Sequence, residues 1–216
     1  MQLRNLPWLA GRGYNTFGVY ISNVQCPNKN SRSLYGSYLA VLFESFTDPI
    51  VTGREELGFP KVWADQPDGK LEGATWKHSL NWLGNEFMQL TIPELQEAPV
   101  EQAPAHQKRE WTHPTQHGFM NHRYVPTVGQ PGQHDVSYTT FCPAPQGKAP
   151  VIEYKTIPVA QFDQVQLVWR DLAWQDLPTL HNIVQGLRNI PQVRVLEVAL
   201  QKFQGASDLM ANQRVD

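Results

Sequence analysis

The chain has 216 residues and a mass of 24.6 kDa, which is enough to bury a substantial core without disulfide cross-links. Its 18 basic and 20 acidic residues leave a net charge of −2, which excludes the strongly basic surface typical of nucleic-acid-binding proteins. The longest apolar stretch, residues 39–43, is far shorter than a membrane-spanning helix, and the N-terminus lacks the apolar core of a secretory signal. Cys26 and Cys142 have neither metal-ligand spacing nor a disulfide-framework pattern, which predicts reduced thiols. We therefore expect a cytoplasmic protein that acts on small molecules or proteins rather than on nucleic acid or a membrane.

In chain order, segments rich in β-branched and aromatic residues between turn residues predict eight strands. They lie at residues 14–24, 34–46, 70–77, 86–92, 122–128, 135–141, 164–170 and 192–203. The 17 prolines and 15 glycines interrupt the sequence too regularly for an all-α bundle. Eight strands predict a large, mainly antiparallel sheet or barrel, and no linker or internal repeat divides the chain.

Few helices are expected. One amphipathic helix is predicted from a capping Asp176 to Asn189, with apolar residues at helical spacing. A second, shorter helix is predicted after Asp48, ending at Gly58. Residues 94–115, which combine three prolines with Glu, Gln and Ala, predict a long surface excursion.

The sequence does not support a metal or cofactor. His113, His117 and His122 have suggestive spacing, but Pro114 and Gly118 break the continuous helix that a zinc site of this spacing needs. Glycine-rich nucleotide-binding loops and the Gly-x-Ser-x-Gly elbow of serine hydrolases are also absent from the sequence. We therefore predict neither a metal nor a cofactor.

The most informative segment places a lysine among apolar residues. Lys61 stands between Phe59-Pro60 and Val62-Trp63. A lysine held in apolar surroundings loses part of its charge and can form a Schiff base with a ketone. The alternative is that Lys61 lays its stem on Phe59 or Trp63 and keeps its charge in water, and composition alone favours this second interpretation.

The motif around that lysine changes the balance. Gly53-Arg54-Glu55 followed at this spacing by Phe59-Pro60-Lys61 resembles the acetoacetate decarboxylase superfamily, and the similarity extends upstream through residues 36–39. Weaker similarity covers nearly the whole chain. The resemblance implies an α+β fold, with residues 1–216 forming a single domain around a large, mainly antiparallel β-barrel with a few helices. It also implies a homo-oligomer, a role in secondary metabolism, and Lys61 as the Schiff-base residue.

Three departures argue against plain acetoacetate decarboxylation. Decarboxylating members carry a second lysine directly after the first, where this chain has Val62, and a glutamate in a Tyr-x-Glu element, where this chain has Thr16. They also have a longer N-terminal region with an arginine that handles the substrate carboxylate, whereas only thirteen residues precede Tyr14 here. We therefore expect a more open site, a site that depends more on oligomer contacts, or a bulkier substrate.

Lys61 and Glu44 are the candidate catalytic residues. Glu44 lies on the strand before the motif and could supply the carboxylate that Thr16 lacks; alternatively it is an exposed or turn-capping residue. Arg54 and Glu55 could reach an anionic substrate, although a structural ion pair between them is the favoured interpretation. The candidate substrate-binding residues are Tyr14, Thr16, Arg54, Glu55, Phe59, Trp63 and Tyr124.

Three functions remain open at this point. The first is a biosynthetic lyase of the decarboxylase or aldolase type that acts on a keto or polyketide-like small molecule through an iminium on Lys61. The second is a non-covalent cyclase or isomerase, including a pericyclic catalyst, that folds and polarises its substrate. The third is a non-catalytic ligand-binding protein.

Overall fold

The computed structural model describes residues 1–27, 33–103, 118–143, 150–205 and 211–215. Two α-helices occur in these residues, α1 at Thr47–Glu55 and α2 at His181–Arg188, together with short 3-10 helices at Pro7–Leu9, Val100–Gln102 and Val159–Gln164. The strands in chain order are β1 (Gln2–Leu6), β2 (Arg12–Cys26), β3 (Leu34–Glu44), β4 (Lys61–Trp63), β5 (Lys70–Glu72), β6 (Thr75–Trp82), β7 (Asn85–Ile92), β8 (Gln96–Glu97), β9 (Gly118–Pro126), β10 (His134–Pro143), β11 (Val151–Thr156), β12 (Gln166–Trp169), β13 (Leu200–Phe203) and β14 (Gln213–Val215). The expected fold class, mainly antiparallel sheet with few helices, is confirmed, but the described strands form three open sheets and not a closed barrel.

The chain divides into two compact units. Within the described residues, the first unit takes its parts from residues 1–63, 106–148 and 205–216. It contains a seven-stranded sheet in the open order β1-β2-β3-β9-β10-β14, with β4 attached to β3. Its apolar core includes Leu34, Met120, Phe141 and Val215, which are all buried.

Strand β3 organises this sheet because it has different neighbours along its length. On one edge it pairs antiparallel with β2 throughout. On the other edge it pairs parallel with β9 through Ser37 and Tyr38, and then parallel with β4 from Leu42 to Glu44. The last three residues of β3 therefore lie between β2 and β4.

The second unit takes its parts from residues 64–105 and 149–204. It contains two antiparallel sheets, β13-β11-β8 and β12-β7-β6-β5. A core cluster of Ile92, Leu95, Ile157 and Val198 is surrounded by partly buried side chains such as Trp76. A single domain over residues 1–216 stays a prediction.

Three predicted elements are corrected. Residues 70–77 are not one strand but a hairpin, because Gly73 has a positive φ of 63° and turns β5 back into β6. Of residues 192–203, only Leu200–Phe203 forms a strand, and Val193 and Leu196 in the rest are exposed. The helix predicted from Asp176 begins at His181, although Asn189 does cap it.

The surface excursion predicted at residues 94–115 contains β8 and a 3-10 helix, and its part after residue 103 lies outside the described residues.

Neither described helix has the length and the apolar character that crossing a lipid bilayer would require.

Burial of His78 in the second unit makes stability depend on pH. His78 lies on β6 opposite Leu90 of β7, and burial lowers its pKa from 6.5 to about 4. Between these two values the unfolded chain binds more protons at this position than the folded chain does. The free energy of unfolding therefore falls as the pH falls from about 6.5 to about 4.

We expect His78→Phe to reduce this acid sensitivity, because phenylalanine fills the position without titrating. Urea unfolding of both proteins, at neutral pH and at about pH 4, measures the difference. The exposed His122 offers a control, since His122→Phe should keep the wild-type response. Equal loss of stability on acidification in wild type and His78→Phe would contradict the conclusion that His78 causes this acid sensitivity.

Candidate active site

The pairing of β3 with β4 brings Lys61 and Glu44 together. Lys61 is the register partner of Leu42, and alternation along β3 places Leu42 and Glu44 on one face. The amine Nζ of Lys61 lies 3.0 Å from Oε1 of Glu44. Only 6% of the Lys61 side chain and 2% of the Glu44 side chain are exposed. The expectation that Lys61 keeps its charge in water is therefore wrong, as is the alternative that Glu44 is exposed.

Helix α1 covers the amine. Lys61 Nζ donates a hydrogen bond of 2.9 Å to the carbonyl oxygen of Pro49 in the first turn of this helix. A Cβ atom at Gly53, one turn later, would lie only 2.5 Å from Nζ and 2.4 Å from Cε of Lys61. The glycine of the Gly-Arg-Glu motif is therefore needed so that the helix backbone can pack directly on the lysine side chain.

Glu44 retains unused hydrogen-bonding capacity. Its second carboxylate oxygen, Oε2, is buried and has no hydrogen-bond partner in the described residues. Burial raises the pKa of Glu44, while the neighbouring ammonium of Lys61 opposes that rise. A buried carboxylate beside a buried ammonium can accept its proton, since both products are then neutral in a medium that solvates charge poorly. The pair can thus transfer a proton.

Strand β2 lines the other side of Glu44. Thr16, which is buried, is the direct cross-strand partner of Glu44. Partial burial raises the pKa of the phenols of Tyr14 and Tyr20, and the charge of Glu44 adds to the rise in each. Both phenols therefore keep their protons and remain hydrogen-bond donors near the carboxylate.

Aromatic rings continue from the lysine toward the surface. The ring of Phe59, itself buried, lies 5.9 Å from Lys61 Nζ. Phe119 on β9 packs 5.5 Å from Phe59, and the half-exposed Tyr20 packs 6.5 Å from Phe119. The sequence did not identify Phe119 as a site residue, because only the parallel pairing of β9 with β3 places it next to Phe59.

A groove of about 460 Å³ opens beside this region. Trp8 forms one wall and packs edge-on against Tyr14 with a ring separation of 6.2 Å. Phe46 follows Glu44 by two residues, and Asp48 precedes Pro49, the residue whose carbonyl accepts from the lysine. The groove is lined by Trp8, Leu9, Ala10, Arg12, Phe46, Asp48 and Thr52.

The loop that presents the lysine is held by side chains that bind its carbonyl groups. Arg54 donates to the carbonyl of Lys61 at 2.9 Å, and Arg123 of β9 donates to that of Glu55 at 2.7 Å. Two side-chain amides also donate hydrogen bonds to this loop. Asn212 donates to the carbonyl of Leu57, and Asn121 donates to the carbonyl of Gly58. No signal in the sequence marked these residues as positioning the loop: Asn121, which proves to be fully buried on β9, lies just before the strand predicted at residues 122–128.

Other predicted residues lie farther from the pair or act differently. Trp63 on β4 is the register partner of Glu44 and is partly buried, whereas Tyr124 is half exposed and packs against the ring of His134 at 5.8 Å. The predicted ion pair between Arg54 and Glu55 is wrong, because these exposed side chains do not pair with each other and Arg54 binds backbone instead.

The histidines do not form a described site. His122 is exposed and its Nε2 lies 3.2 Å from the hydroxyl of Ser137, while His113 and His117 lie outside the described residues. Among the residues with described positions, no three His, Cys, Asp or Glu side chains are grouped so that they could hold a metal ion.

Two glycines allow a test of the helix packing on Lys61. Gly53→Ala should displace the amine and lower the free energy of unfolding by about 1–3 kcal/mol, because a methyl group overlaps the lysine side chain. Gly186→Ala in α2 is the matched control, since a Cβ there meets nothing within 4 Å, and it should be neutral or stabilising by about 0.5–1 kcal/mol. Urea unfolding measures both changes, and equal effects would contradict the close packing.

Comparison with known proteins agrees with the sheet and the motif. The profile of the family described as Acetoacetate decarboxylase (ADC) matches residues 2–172. Acetoacetate decarboxylase from Legionella pneumophila has 18% identity and a TM-score of 0.54, over 88% of this chain but only 62% of its own length. A second acetoacetate decarboxylase structure has 15% identity and a TM-score of 0.54, over 90% of this chain and 70% of its own length.

A third structure is less similar. The enduracididine biosynthesis enzyme MppR has 12% identity and a TM-score of 0.45, over 78% of this chain and 56% of its own length. No curated protein matches the sequence at a significant level. The family profile, however, runs from the start of β1 to beyond the end of β12. The chain therefore belongs to the acetoacetate decarboxylase family.

Proposed function

We propose that this protein is a biosynthetic lyase of the decarboxylase or aldolase type that forms an iminium between Lys61 and a carbonyl or polyketide-like small molecule. The observation that carries the proposal is the buried contact of 3.0 Å between Lys61 Nζ and Glu44 Oε1, within the family's lysine motif. An iminium withdraws electrons from the neighbouring carbon, so a bond to that carbon breaks or forms more easily.

Glu44 supplies the proton transfers that this chemistry needs. Lys61 must lose a proton before it attacks, and Oε1 of Glu44 is within hydrogen-bond distance to accept it. The neutral amine then adds to the carbonyl carbon, and the C=O electron pair moves to oxygen. Glu44, now protonated, gives this proton to that oxygen, takes a second proton from the nitrogen and passes it to the resulting hydroxyl group, so that water leaves and the iminium forms. Oε2, which has no partner in the described residues, is the free position from which the acid can reach the substrate oxygen.

The surrounding side chains fit a carbonyl substrate. Thr16 and Tyr14 supply hydroxyl groups on the side of Glu44 that faces β2, and either can orient a carbonyl oxygen. Phe59 and Trp63 provide apolar surface beside the lysine. Tyr124, half exposed on β9, is proposed only as part of an outer wall. Arg54 and Glu55 are exposed, and we assign them at most to the rim of the site.

A second candidate function is a non-covalent cyclase or isomerase on the same fold. It is favoured by the hydrogen bonds that already occupy the amine, one to Pro49 and one to Glu44. An ammonium held in this way can polarise a carbonyl or enone without forming a covalent bond to it. Both candidates place the substrate against the same face of β3 and β4.

Less specific features complete the proposal. The free thiols of Cys26 and Cys142 suit the reducing cytoplasm. Membership of the family supports a single functional domain and a homo-oligomer, and we propose both here. The MppR structure is that of an enzyme of enduracididine biosynthesis, and a biosynthetic role for this chain is likewise part of the proposal.

Borohydride trapping tests the covalent function. Incubation with acetylacetone or pyruvate, reduction with sodium borohydride and peptide mass mapping should give an adduct on Lys61. Lys61→Met should abolish it, whereas Lys155→Met, which removes a partly exposed lysine paired with Glu97, should leave it intact. Because Lys61→Met leaves Glu44 buried and unpaired, the double variant Lys61→Met/Glu44→Gln serves as the folded control. Absence of an adduct on Lys61 with both compounds would refute the iminium.

Deuterium exchange separates the two candidate functions. An iminium makes the hydrogens next to a ketone acidic, so the wild type should catalyse their exchange in 4-phenylbutan-2-one dissolved in D₂O, measured by NMR. Lys61→Arg keeps the charge and the donors but cannot form an imine. Loss of exchange in Lys61→Arg is expected for the covalent function, and retained exchange would instead support the non-covalent one.

A further inference from the structure

The buried groups that meet the substrate carry one charge of each sign. Lys61 is the cation and Glu44 the anion, and both side chains are almost fully buried. A keto acid would bring a second carboxylate into a site where the ammonium is already neutralised. Two buried carboxylates beside one ammonium repel each other strongly, because little water is present to screen them.

The groove beside the pair is also balanced in charge. Arg12 and Asp48 contribute one charge of each sign to its lining, and Trp8 and Phe46 contribute aromatic surface. Tyr14 is close to both the groove and the pair, since its ring packs on Trp8 and it stands two residues before Thr16, the cross-strand partner of Glu44. A ligand that extends from the lysine into the groove therefore meets apolar rings and no excess of positive charge.

The arginines near the lysine are already engaged with protein groups. Arg54 donates to the carbonyl of Lys61, and its side chain lies on the exposed side of α1. Arg123 donates to the carbonyl of Glu55 and to the hydroxyl of Tyr138. Both guanidinium groups hold the lysine loop through its carbonyl groups, and each keeps further N–H donors, including the buried Nε of Arg123, which has no partner in the described residues.

Among the residues with described positions, the polar side chains that remain near the pair are uncharged. Thr16 offers a hydroxyl group, and Tyr14 and Tyr20 stay protonated beside Glu44. Hydroxyl donors suit a neutral carbonyl oxygen, whereas a carboxylate needs a cation when it is buried.

We propose that the substrate of this site is a neutral carbonyl compound with an aromatic or apolar substituent, and not a keto acid. The proposal rests on the proposed function, because it takes Lys61 as the group that meets the carbonyl. The reaction is then of the aldol, retro-aldol or dehydration type. The carboxylate of Glu44 removes a proton from the carbon next to the iminium. That C–H electron pair forms the enamine double bond, and the iminium electron pair moves to nitrogen.

Two ligands that differ only at one group provide the test. 4-Phenylbutan-2-one and 2-oxo-4-phenylbutanoate share a phenylethyl ketone and differ by a methyl group against a carboxylate. Affinity is measured by calorimetry without reductant, and adduct formation by borohydride trapping and mass mapping at Lys61. For the wild type we expect the keto acid to bind at least about tenfold more weakly than the ketone.

Glu44→Gln isolates the cause of this preference. The amide keeps the shape of the side chain but leaves the ammonium of Lys61 without a counter-charge. The keto acid should gain affinity in this variant relative to the ketone, so that the preference shrinks or reverses. Glu72→Gln is the matched control, because Glu72 forms an exposed ion pair with Lys77 in the second unit. It should leave the wild-type preference unchanged.

The outcomes separate this proposal from the proposed function. A ketone preference that disappears in Glu44→Gln supports the substrate class, even if neither ligand is trapped on Lys61, and in that case only the iminium fails. Trapping of both ligands at Lys61 with equal affinity keeps the iminium and overturns the substrate class. A preference that survives in Glu44→Gln, or no binding of either ligand at millimolar concentration, also overturns it.

Discussion

The buried ion pair between Lys61 and Glu44 determines how the surrounding backbone must pack. Taking two charges out of water is repaid only when their geometry is good and their remaining hydrogen bonds are satisfied. Here the backbone supplies what the pair needs: Pro49 accepts from the amine, and Gly53 lets α1 pack against the lysine stem. Breaking such a pair by removing one partner typically costs about 3–5 kcal/mol. The pair therefore links the stability of the first unit to the chemistry that we propose for it.

The position of the carboxylate shows how strand pairing can preserve a site while its sequence changes. The resemblance to the family implies a glutamate at the position of Thr16 on β2, and this chain has its carboxylate at Glu44 on β3. The two residues are direct cross-strand partners. Side chains paired in this way project from the same face with Cβ atoms about 4.5–5.5 Å apart, so a carboxylate from either strand can reach the same space. A comparison of motifs finds that the family's glutamate is missing at Thr16. The paired strands show that Glu44, on the neighbouring strand, places a carboxylate beside the lysine instead.

Much of this arrangement could be predicted from local sequence, but the parts that depend on distant contacts could not. Alternation on β2 and β3 and the motif ending in Lys61 were sufficient to nominate the lysine, the glutamate and the flanking aromatic residues. The three-residue strand β4 is too short to give a periodic signal, and its parallel pairing with β3 follows from α1, which connects the two strands. Asn121 and Asn212 hold the lysine loop from positions 63 and 155 residues away along the chain, so no local pattern can reveal them. Two of the errors in the predicted strands have local causes, a glycine turn inside residues 70–77 and exposed apolar residues before Leu200.

The change from a second lysine to Val62 alters how the amine can become reactive. A neighbouring cation disfavours the charged form of a lysine, whereas a neighbouring carboxylate favours it. With Glu44 at 3.0 Å, Lys61 has the second kind of neighbour, so in the mechanism that we propose the nucleophilic amine arises by proton transfer within the pair. Removing water favours that transfer, because it exchanges two charges for two neutral groups. A neutral, apolar substrate that fills the space beside Phe59 would exclude water and add no charge, so its binding would itself promote the reactive amine. A keto acid would instead add a negative charge beside the pair and stabilise the ammonium, which links the choice of substrate directly to the activation of the lysine.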